Sequence, residues 1–192
     1  MNPHDLLIAQ TRAWLEHAVI GLNLCPFAKA VHVKGQVQYL VSDAADVETL
    51  QAHLAQAMQQ LVATDPEVTD TVLLIHPQVL QDFEDFNQFL GIAEDTLAAL
   101  GLEGVLQVAS FHPQFQFADT EPGDIGNATN RSPYPTLHLL REDSIDRAVE
   151  AFPEAEAIFE ANIETLEGLG AEGWTRLQQR WLALVDSSPP ST

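Results

Sequence analysis

A run of apolar and β-branched residues begins at position 71 and reads Thr71-Val72-Leu73-Leu74-Ile75-His76-Pro77. A short apolar run of this kind is typical of a β-strand that is covered on both faces. Proline ends the run, because a residue without an N–H group cannot continue the hydrogen-bond ladder. We therefore predict a buried strand here, with His76 at its carboxyl end.

Further strands and helices alternate on both sides of this strand. Residues 37–41 predict an earlier strand, and a stripe of apolar residues over 47–61 predicts the helix that follows it. After the buried strand, a second stripe over 83–100, capped by Asp82, predicts another helix, and 105–112 predict a third strand. Alternation of this kind indicates parallel strands that are joined by right-handed crossovers.

The remaining segments complete the predicted domain. A fourth strand is expected at 136–140, and residues 6–22 have the apolar spacing of an amphipathic helix. Further helices are expected over 24–31, 144–152, 154–169 and 171–185. We predict one α/β domain over residues 1–185, with a small mixed, mainly parallel β-sheet flanked by helices and a helical C-terminal region. Residues 186–192 are rich in Pro and Ser, which predicts a flexible tail.

Composition and charge exclude several classes of protein. Hydrophobic residues make up 46% of the 192 residues and charged residues 19%, which is typical of a globular chain rather than a disordered or membrane-spanning one. Asp and Glu number 28 against 8 Lys and Arg, a net charge of -20. This charge repels phosphate backbones and anionic lipid surfaces, so we expect no nucleic-acid partner and no membrane association.

Cysteine content and the first residues indicate the compartment. The chain has a single cysteine, Cys25, which excludes an internal disulfide. Residues 1–7 lack the basic segment and long apolar run of a signal peptide. We therefore expect a cytoplasmic protein, and the sequence predicts no particular oligomeric state.

Histidines mark the predicted ligand-binding edge of the sheet. Ligands of parallel sheets bind outside the carboxyl ends of the strands, where His76 and His112 stand. If the fourth strand runs antiparallel beside the third, His138 lies near His112, and we predict that these two rings meet. His76 carries less weight, because it also serves to end its strand before Pro77. Side-chain alternation places Arg141 on the face opposite to His138, which favours a structural role for it.

Cys25 is the candidate nucleophile. Pro26 suits the first turn of the short helix at 24–31, which makes Cys25 its N-cap, where the helix dipole and nearby Lys29 would stabilise a thiolate. His112 or His138 would then act as general base, with Asp124 or Asn127 orienting the imidazole.

A metal site is the alternative use of the same side chains. Cys25, His112 and His138 together are a ligand set that suits zinc, copper or iron, with one coordination position left open. The structural alternative is a buried, unreactive cysteine and a core histidine.

The connection between the third and fourth strands, residues 113–135, is long and has no regular periodicity. Long connections inside a compact domain often bind a ligand. Its candidate substrate-binding residues, taken together with Lys29, are Asn127, Asn130, Arg131, Ser132 and Tyr134. Since basic residues are scarce, Arg131 favours a small anionic substrate. The alternatives are side-chain hydrogen bonds that satisfy turns, and a surface ion pair for Arg131.

Four motifs carry a resemblance to a known family. They are Leu24-Cys25-Pro26-Phe27-Ala28, Ser110-Phe111-His112-Pro113, Asn127-Ala128-Thr129-Asn130-Arg131-Ser132-Pro133-Tyr134-Pro135 and Leu137-His138-Leu139-Leu140-Arg141-Glu142. Over approximately residues 10–175, the chain resembles the family catalogued as domain of unknown function 1415. The resemblance implies that the matched segments form one site, and it supplies no reaction.

Three hypotheses of function follow. The first is an enzyme that uses a Cys/His site for hydrolysis or group transfer on a small anionic substrate. The second is a transition-metal protein or metalloenzyme with Cys/His/His ligands. The third is a non-catalytic module that binds a protein partner through its acidic surface or the 113–135 loop. Motifs of nucleotide-binding loops, zinc proteases and serine hydrolases are absent from the sequence.

Overall fold

A four-stranded sheet forms the centre of the fold, which is given by a computed structural model that describes residues 2–151 and 157–186. The strands are β1 (Val37–Val41), β2 (Thr71–Ile75), β3 (Leu106–Phe111) and β4 (Thr136–Arg141). The α-helices are α1 (Pro3–Trp14), α2 (Ala28–Val33), α3 (Val47–Ala63), α4 (Phe83–Ala99), α5 (Glu142–Ala151) and α6 (Ile158–Asp186). A π-helical segment, Leu15–Ile20, continues α1, and a 3-10 helix, Ile125–Asn130, lies in the long connection before β4. None of the helices in these described ranges is long and apolar enough to cross a bilayer.

Strand order makes the sheet mixed. The order is β1-β2-β4-β3, with β1 and β2 parallel and β4 antiparallel to both of its neighbours. The predicted α/β class, the mixed sheet and the antiparallel pairing of β3 with β4 are confirmed. The prediction of a mainly parallel sheet is wrong: β2 and β3 do run in the same direction, but β4 is inserted between them, so only one of the three strand pairs is parallel.

Helices α3 and α4 cover one face of the sheet. Each connects two strands that run in the same direction, and each begins at an aspartate whose carboxylate accepts N–H groups of the first turn, Asp46 for α3 and Asp82, as predicted, for α4. The apolar side chains of this face form a buried cluster that includes Leu50, Leu54, Met58, Val72, Leu74, Phe86, Phe89, Leu137 and Leu139. We call it the α3/α4 cluster.

The opposite face carries a second cluster, built from α1, the π-helical segment and α6. Its buried members are Ala13, Trp14, Leu15, Ala18, Val19, Leu24, Ala128, Leu166 and Trp174, and we call it the α1/α6 cluster. The ring of Trp14 meets that of Phe111 on β3 edge to face at 5.1 Å, which joins the helix to the sheet. The sheet is thus covered on both faces, as the apolar run of β2 predicts.

The helix predicted over 6–22 changes its winding at Trp14. An α-helix ends there and a π-helix follows over Leu15–Ile20, so one turn holds an additional residue. Gly21 comes directly after it, and a Cβ atom at Gly21 would lie 2.3 Å from the carbonyl oxygen of His17. Only glycine fits this position.

The C-terminal helices agree with the predicted pattern. Helix α5 covers most of the predicted 144–152 helix, and Gly170, with φ 68° and ψ 166°, interrupts α6 at the boundary predicted between 154–169 and 171–185. Residues 152–156 and 187–192, which include nearly all of the predicted tail, lie outside the described residues.

Arg141 ties the end of β4 to α3. Its Nη2 atom donates to the carbonyl oxygens of Leu61 at 2.6 Å, Thr64 at 2.7 Å and Thr69 at 3.1 Å. The first two oxygens belong to the C-terminal end of α3, where unpaired carbonyls and the helix dipole favour a cation. The structural role predicted for Arg141 is therefore the one that its contacts support.

We predict that Arg141→Met lowers the free energy of unfolding by about 2–3 kcal/mol, because it leaves buried carbonyl oxygens without a charged donor. Arg176→Met is the matched control: among the described residues Arg176 pairs with Glu172 alone, on the surface, and its loss should change stability by less than about 0.5 kcal/mol. Urea unfolding of both variants measures the difference. Equal stabilities would contradict this role.

We also predict that Gly21→Ala destabilises the protein by about 1–3 kcal/mol, because the added methyl group would collide with the His17 carbonyl. Gly91, in the middle of α4, has open space around it, so Gly91→Ala should instead stabilise by about 0.5–1 kcal/mol. Thermal unfolding of the two variants tests the opposite signs.

Candidate functional site

His76 and His112 lie together at the carboxyl ends of β2 and β3, as expected, on the face that α4 covers. The two rings lie 5.6 Å and 5.0 Å from the ring of Phe86, measured between centroids, and both histidines are buried. Their backbone N–H groups donate to the carbonyl oxygens of Pro135 and Asn130, respectively. The connection that leads into β4 therefore holds both histidines at this edge.

Hydrogen bonds fix the protonation of these two rings. His76 Nδ1 lies 3.2 Å from the carbonyl oxygen of Val79, and His112 Nε2 lies 3.2 Å from that of Leu80. Gln114 donates its backbone N–H to His112 Nδ1, so the His112 proton is on Nε2. Burial lowers the pKa of His76 to about 4 and lowers that of His112 as well. Both are thus neutral rings at neutral pH.

Their backbone contacts indicate a structural role. Leu80, whose carbonyl accepts from His112, has φ 58°, a conformation that costs free energy for a residue with a branched side chain. The two histidines hold the β2–α4 connection in this strained form. His76 Nε2 is buried and has no hydrogen-bond partner among the residues that the structure describes.

His138 lies on the other face of the sheet, so the prediction that it meets His112 is wrong. His138 pairs with Ala109 on β3, and His112 lies three residues further along. An odd offset along a strand reverses the face, which is why Phe111 contacts the His138 ring at 5.8 Å whereas His112 contacts Phe86.

A threonine fixes the tautomer of His138. Thr71 Oγ1 donates to the carbonyl oxygen of Leu139 at 2.7 Å and lies 2.7 Å from His138 Nε2. A hydroxyl has one proton to donate, so Nε2 must carry the hydrogen and Thr71 accepts it. The lone pair of Nδ1 is left without a hydrogen-bond partner in the described part of the chain. Burial lowers the pKa of His138 to about 4, so the ring is neutral at neutral pH.

Cys25 packs on the same side of the sheet as His138. Its side chain is partly buried against the α1/α6 cluster, which Phe111 also contacts. Helix α2 begins at Ala28, so Cys25 is not its N-cap; Phe27 stands there and has no side-chain cap. Burial raises the pKa of the Cys25 thiol, and backbone N–H groups of Phe27 and Ala28 act in the opposite direction but more weakly. The expectation of a thiolate at rest is therefore wrong.

Asn127 organises the loop from inside. Its Oδ1 accepts from the backbone N–H of Phe117 and from the hydroxyl of Thr120, and its Nδ2 donates to the carbonyl oxygen of Glu121. It is fully buried. The hydrogen bonds of its side chain in the described part of the chain therefore go to the loop itself and not to an imidazole.

Arg131 also holds the loop. Its Nε donates to the carbonyl oxygen of Phe115 at 3.2 Å and its Nη2 to that of Pro122 at 2.7 Å. The partners of Arg131 in the described residues are thus backbone oxygens rather than the surface carboxylate of the alternative interpretation. Asp124, the other candidate to orient a histidine, accepts the backbone N–H of Glu121.

The other predicted substrate-binding residues have local partners or lie at the surface. Asn130 Nδ2 donates to the carbonyl oxygen of Ser110, and Ser132 Oγ donates to that of Tyr134. The hydroxyl of Tyr134 donates to Gln10 on α1. Lys29 is exposed on α2. The alternative in which the polar residues of the 113–135 loop satisfy turns accounts for most of these contacts.

The ligand set predicted for a metal is not assembled. His112 lies on the α4 side of the sheet, whereas Cys25 and His138 lie on the other side. Among the described residues, no group of three or more His, Cys, Asp or Glu side chains is placed to hold a metal ion. The prediction that Cys25, His112 and His138 come together as metal ligands is therefore wrong.

Two residues that sequence reasoning missed lie near His138. Thr71 sets the tautomer of His138. Tyr39 lies in the same cross-strand row as His138, with Leu73 of β2 between Tyr39 and His138. The Tyr39 hydroxyl is buried without a hydrogen-bond partner in the part of the chain described. Burial raises its pKa to about 12, and the guanidinium of Arg12 lies over its ring at 5.1 Å. The signal for Thr71 in the sequence is that it is the one polar residue of an otherwise apolar strand, Thr71–Ile75.

We predict that protonation of His138 weakens the fold in acid. The folded protein keeps the ring neutral down to about pH 4, whereas the unfolded chain binds the proton near pH 6.5, so stability falls as pH falls through this window. The contribution is up to about 1.4 kcal/mol per pH unit. His138→Gln should show a correspondingly shallower pH dependence in urea unfolding, with the carboxylate titrations common to both proteins. Parallel curves would contradict the buried, neutral ring.

Comparison with known proteins adds the family. No curated protein and no solved structure has detectable similarity to the chain. One family profile, described as "Protein of unknown function (DUF1415)", matches residues 6–176. This span contains the whole sheet, both histidine positions at the strand ends, Cys25 and His138, and it confirms the resemblance that the four motifs indicate. The chain belongs to the DUF1415 family.

Proposed function

We propose that the protein is an enzyme that acts on a small anionic substrate by hydrolysis or group transfer, with Cys25 as nucleophile and His138 as general base. The observation that carries the proposal is the state of His138: its Nε2 is committed to Thr71, its Nδ1 has no hydrogen-bond partner among the described residues, and the ring lies on the same side of the sheet as Cys25. His112, the other base considered from the sequence, is not part of this proposal because it lies on the opposite face.

A base is required because the thiol is protonated at rest. Burial raises the pKa of Cys25, so few molecules carry a thiolate at neutral pH. A neutral imidazole with a free lone pair accepts the proton as the sulfur attacks. Thr71 acts as the positioning residue, because its bonds to Nε2 and to the Leu139 carbonyl hold the ring in one orientation.

The chemical step balances with these groups alone. Cys25 Sγ attacks an electrophilic carbonyl carbon, and the thiol proton passes to His138 Nδ1. The bond to the leaving group breaks, and that group departs with the proton from the imidazolium. Water or a second acceptor then attacks the thioester and releases the free thiol. The N–H groups of Phe27 and Ala28 favour the negative sulfur while the charge develops.

Tyr39 and Arg12 support an anionic substrate on this face. The Tyr39 hydroxyl stays protonated and has no partner among the described residues, so it is free to donate to a substrate oxygen. Arg12 is exposed and lies beside the Tyr39 ring. These two residues take the role that the sequence assigned to Arg131.

The test is acylation of Cys25 by small chromogenic acyl esters that carry a carboxylate, followed by mass spectrometry of the modified peptide. Wild-type protein should form the adduct and turn over, and Cys25→Ala should form none. His138→Gln should lower the rate by about 100-fold or more, as loss of a general base does. Thr71→Val should lower it less and alter its pH profile, because Thr71 positions the ring.

His112→Gln is the matched control, since it alters a buried histidine of the opposite face. Its acylation rate should stay within about twofold of wild type. Circular dichroism and urea unfolding verify that each variant is folded. Equal losses in His112→Gln and His138→Gln, or acylation of surface groups in place of Cys25, would overturn the proposal.

A further inference from the structure

Four phenylalanine rings contact one another in series at the end of the sheet where β2 and β3 finish. Phe83 lies 5.2 Å from Phe115, Phe115 lies 4.9 Å from Phe117, and Phe117 lies 5.5 Å from Phe159, between ring centroids. They come from the start of α4, from the loop after β3 and from the start of α6. We call this series the aromatic strip.

The strip is partly exposed to solvent, most of all at Phe159. Phe159 is 51% exposed, and the other three rings are partly buried. An exposed aromatic side chain leaves apolar surface in water, and a contiguous set of them marks a binding surface more often than a scattered one does. The α1/α6 cluster and the α3/α4 cluster use none of the Phe115, Phe117 and Phe159 rings.

Packing beneath the strip holds it in shape. Phe83 contacts the ring of buried His112 at 5.4 Å, and the Phe115 carbonyl oxygen is held by Arg131. Asn127 accepts the backbone N–H of Phe117. A surface that is ordered before a partner arrives loses little conformational entropy when the partner binds.

Acidic residues lie close in sequence to the phenylalanines of the strip in each of the three segments that supply them. The exposed acidic residues within four positions of its rings in sequence are Asp82, Glu84, Asp85, Asp119, Glu121 and Glu160. The cation beside it, Arg131, already has its Nε and Nη2 on carbonyl oxygens. Arg131 keeps its charge in these bonds, but six carboxylates against one guanidinium leave the residues around the strip with a net negative charge, in keeping with the net charge of the chain.

We infer that the aromatic strip is a docking surface for a lysine- or arginine-bearing segment of a partner protein. Aromatic faces attract ammonium and guanidinium groups, and the neighbouring carboxylates pair with the same cations. A second copy of this chain is a poor occupant, because it carries 8 basic residues against 28 acidic ones and repels its like. The inference is independent of the chemistry proposed for Cys25, because it uses neither the thiol nor His138.

The experiment uses a fluorescent peptide in which lysine and arginine alternate with glycine and serine, and a neutral peptide with glutamine at the basic positions. Fluorescence anisotropy measures binding of each peptide to the full chain. The basic peptide should bind and the neutral one should not. Phe159→Ser should weaken binding by about tenfold, as the loss of an exposed aromatic anchor does.

Val33→Ser is the matched control, because Val33 is a 76% exposed apolar residue of α2, away from the strip. It should leave the affinity unchanged, and so should Cys25→Ala. Equal weakening by Phe159→Ser and Val33→Ser, or no weakening by either, would show that the peptide binds the acidic surface in general, and the inference fails.

Two other outcomes also overturn it. Equal binding of the neutral peptide would mean that charge has no part in recognition. A dimer in sedimentation analysis that Phe159→Ser abolishes would mean that copies of this chain occupy the strip. Both measurements use the intact protein and are unaffected by whether Cys25 is acylated.

Discussion

The insertion of β4 between β2 and β3 is the constraint on which the rest of the structure depends. A central strand must satisfy the N–H and C=O groups of both of its edges, and β4 does so with antiparallel ladders to both neighbours. Its side chains then alternate between two cores. Leu137 and Leu139 enter the α3/α4 cluster, whereas His138 enters the opposite side next to Phe111.

This alternation separates two histidine environments that sequence distance alone does not distinguish. On the α4 side, His76 and His112 bind backbone carbonyls and fix a strained connection. On the other side, the Nε2 of His138 is held by a threonine hydroxyl. The two environments differ in the hydrogen-bond partners of the rings, backbone carbonyls on one face and a threonine hydroxyl on the other, rather than in burial, which lowers the pKa of all three.

Local patterns in the sequence predict the helices and strands well. They do not predict how these elements pack against one another. The apolar run at 71–75 and the cap at Asp82 depend on neighbouring residues, and so does the helix interruption at Gly170, which is why these predictions agree with the structure. Strand order depends on which strands β4 pairs with, and no periodicity in the sequence encodes that choice. The error about His112 and His138 has a different cause: β4 does lie antiparallel beside β3, but His112 stands an odd number of residues from Ala109, the partner of His138, so the two rings lie on opposite faces. For Asn127 and Arg131 the sequence left substrate binding and turn hydrogen bonds as alternatives, because the acceptors that they use are backbone oxygens, which any sequence supplies.

The π-helical segment after Trp14 changes the direction in which the residues that follow it face. An α-helix advances about 100° per residue, so one additional residue in a turn rotates everything that follows by that angle relative to the helix before it. Trp14 and the cysteine-bearing turn lie on either side of this shift, and both face the same cluster. A family member lacking one residue between Trp14 and Gly21 would regain an ordinary α-helix and turn its thiol towards a different part of the molecule. The count of residues in that short stretch is thus as much a determinant of the thiol's location as the identity of any one of them.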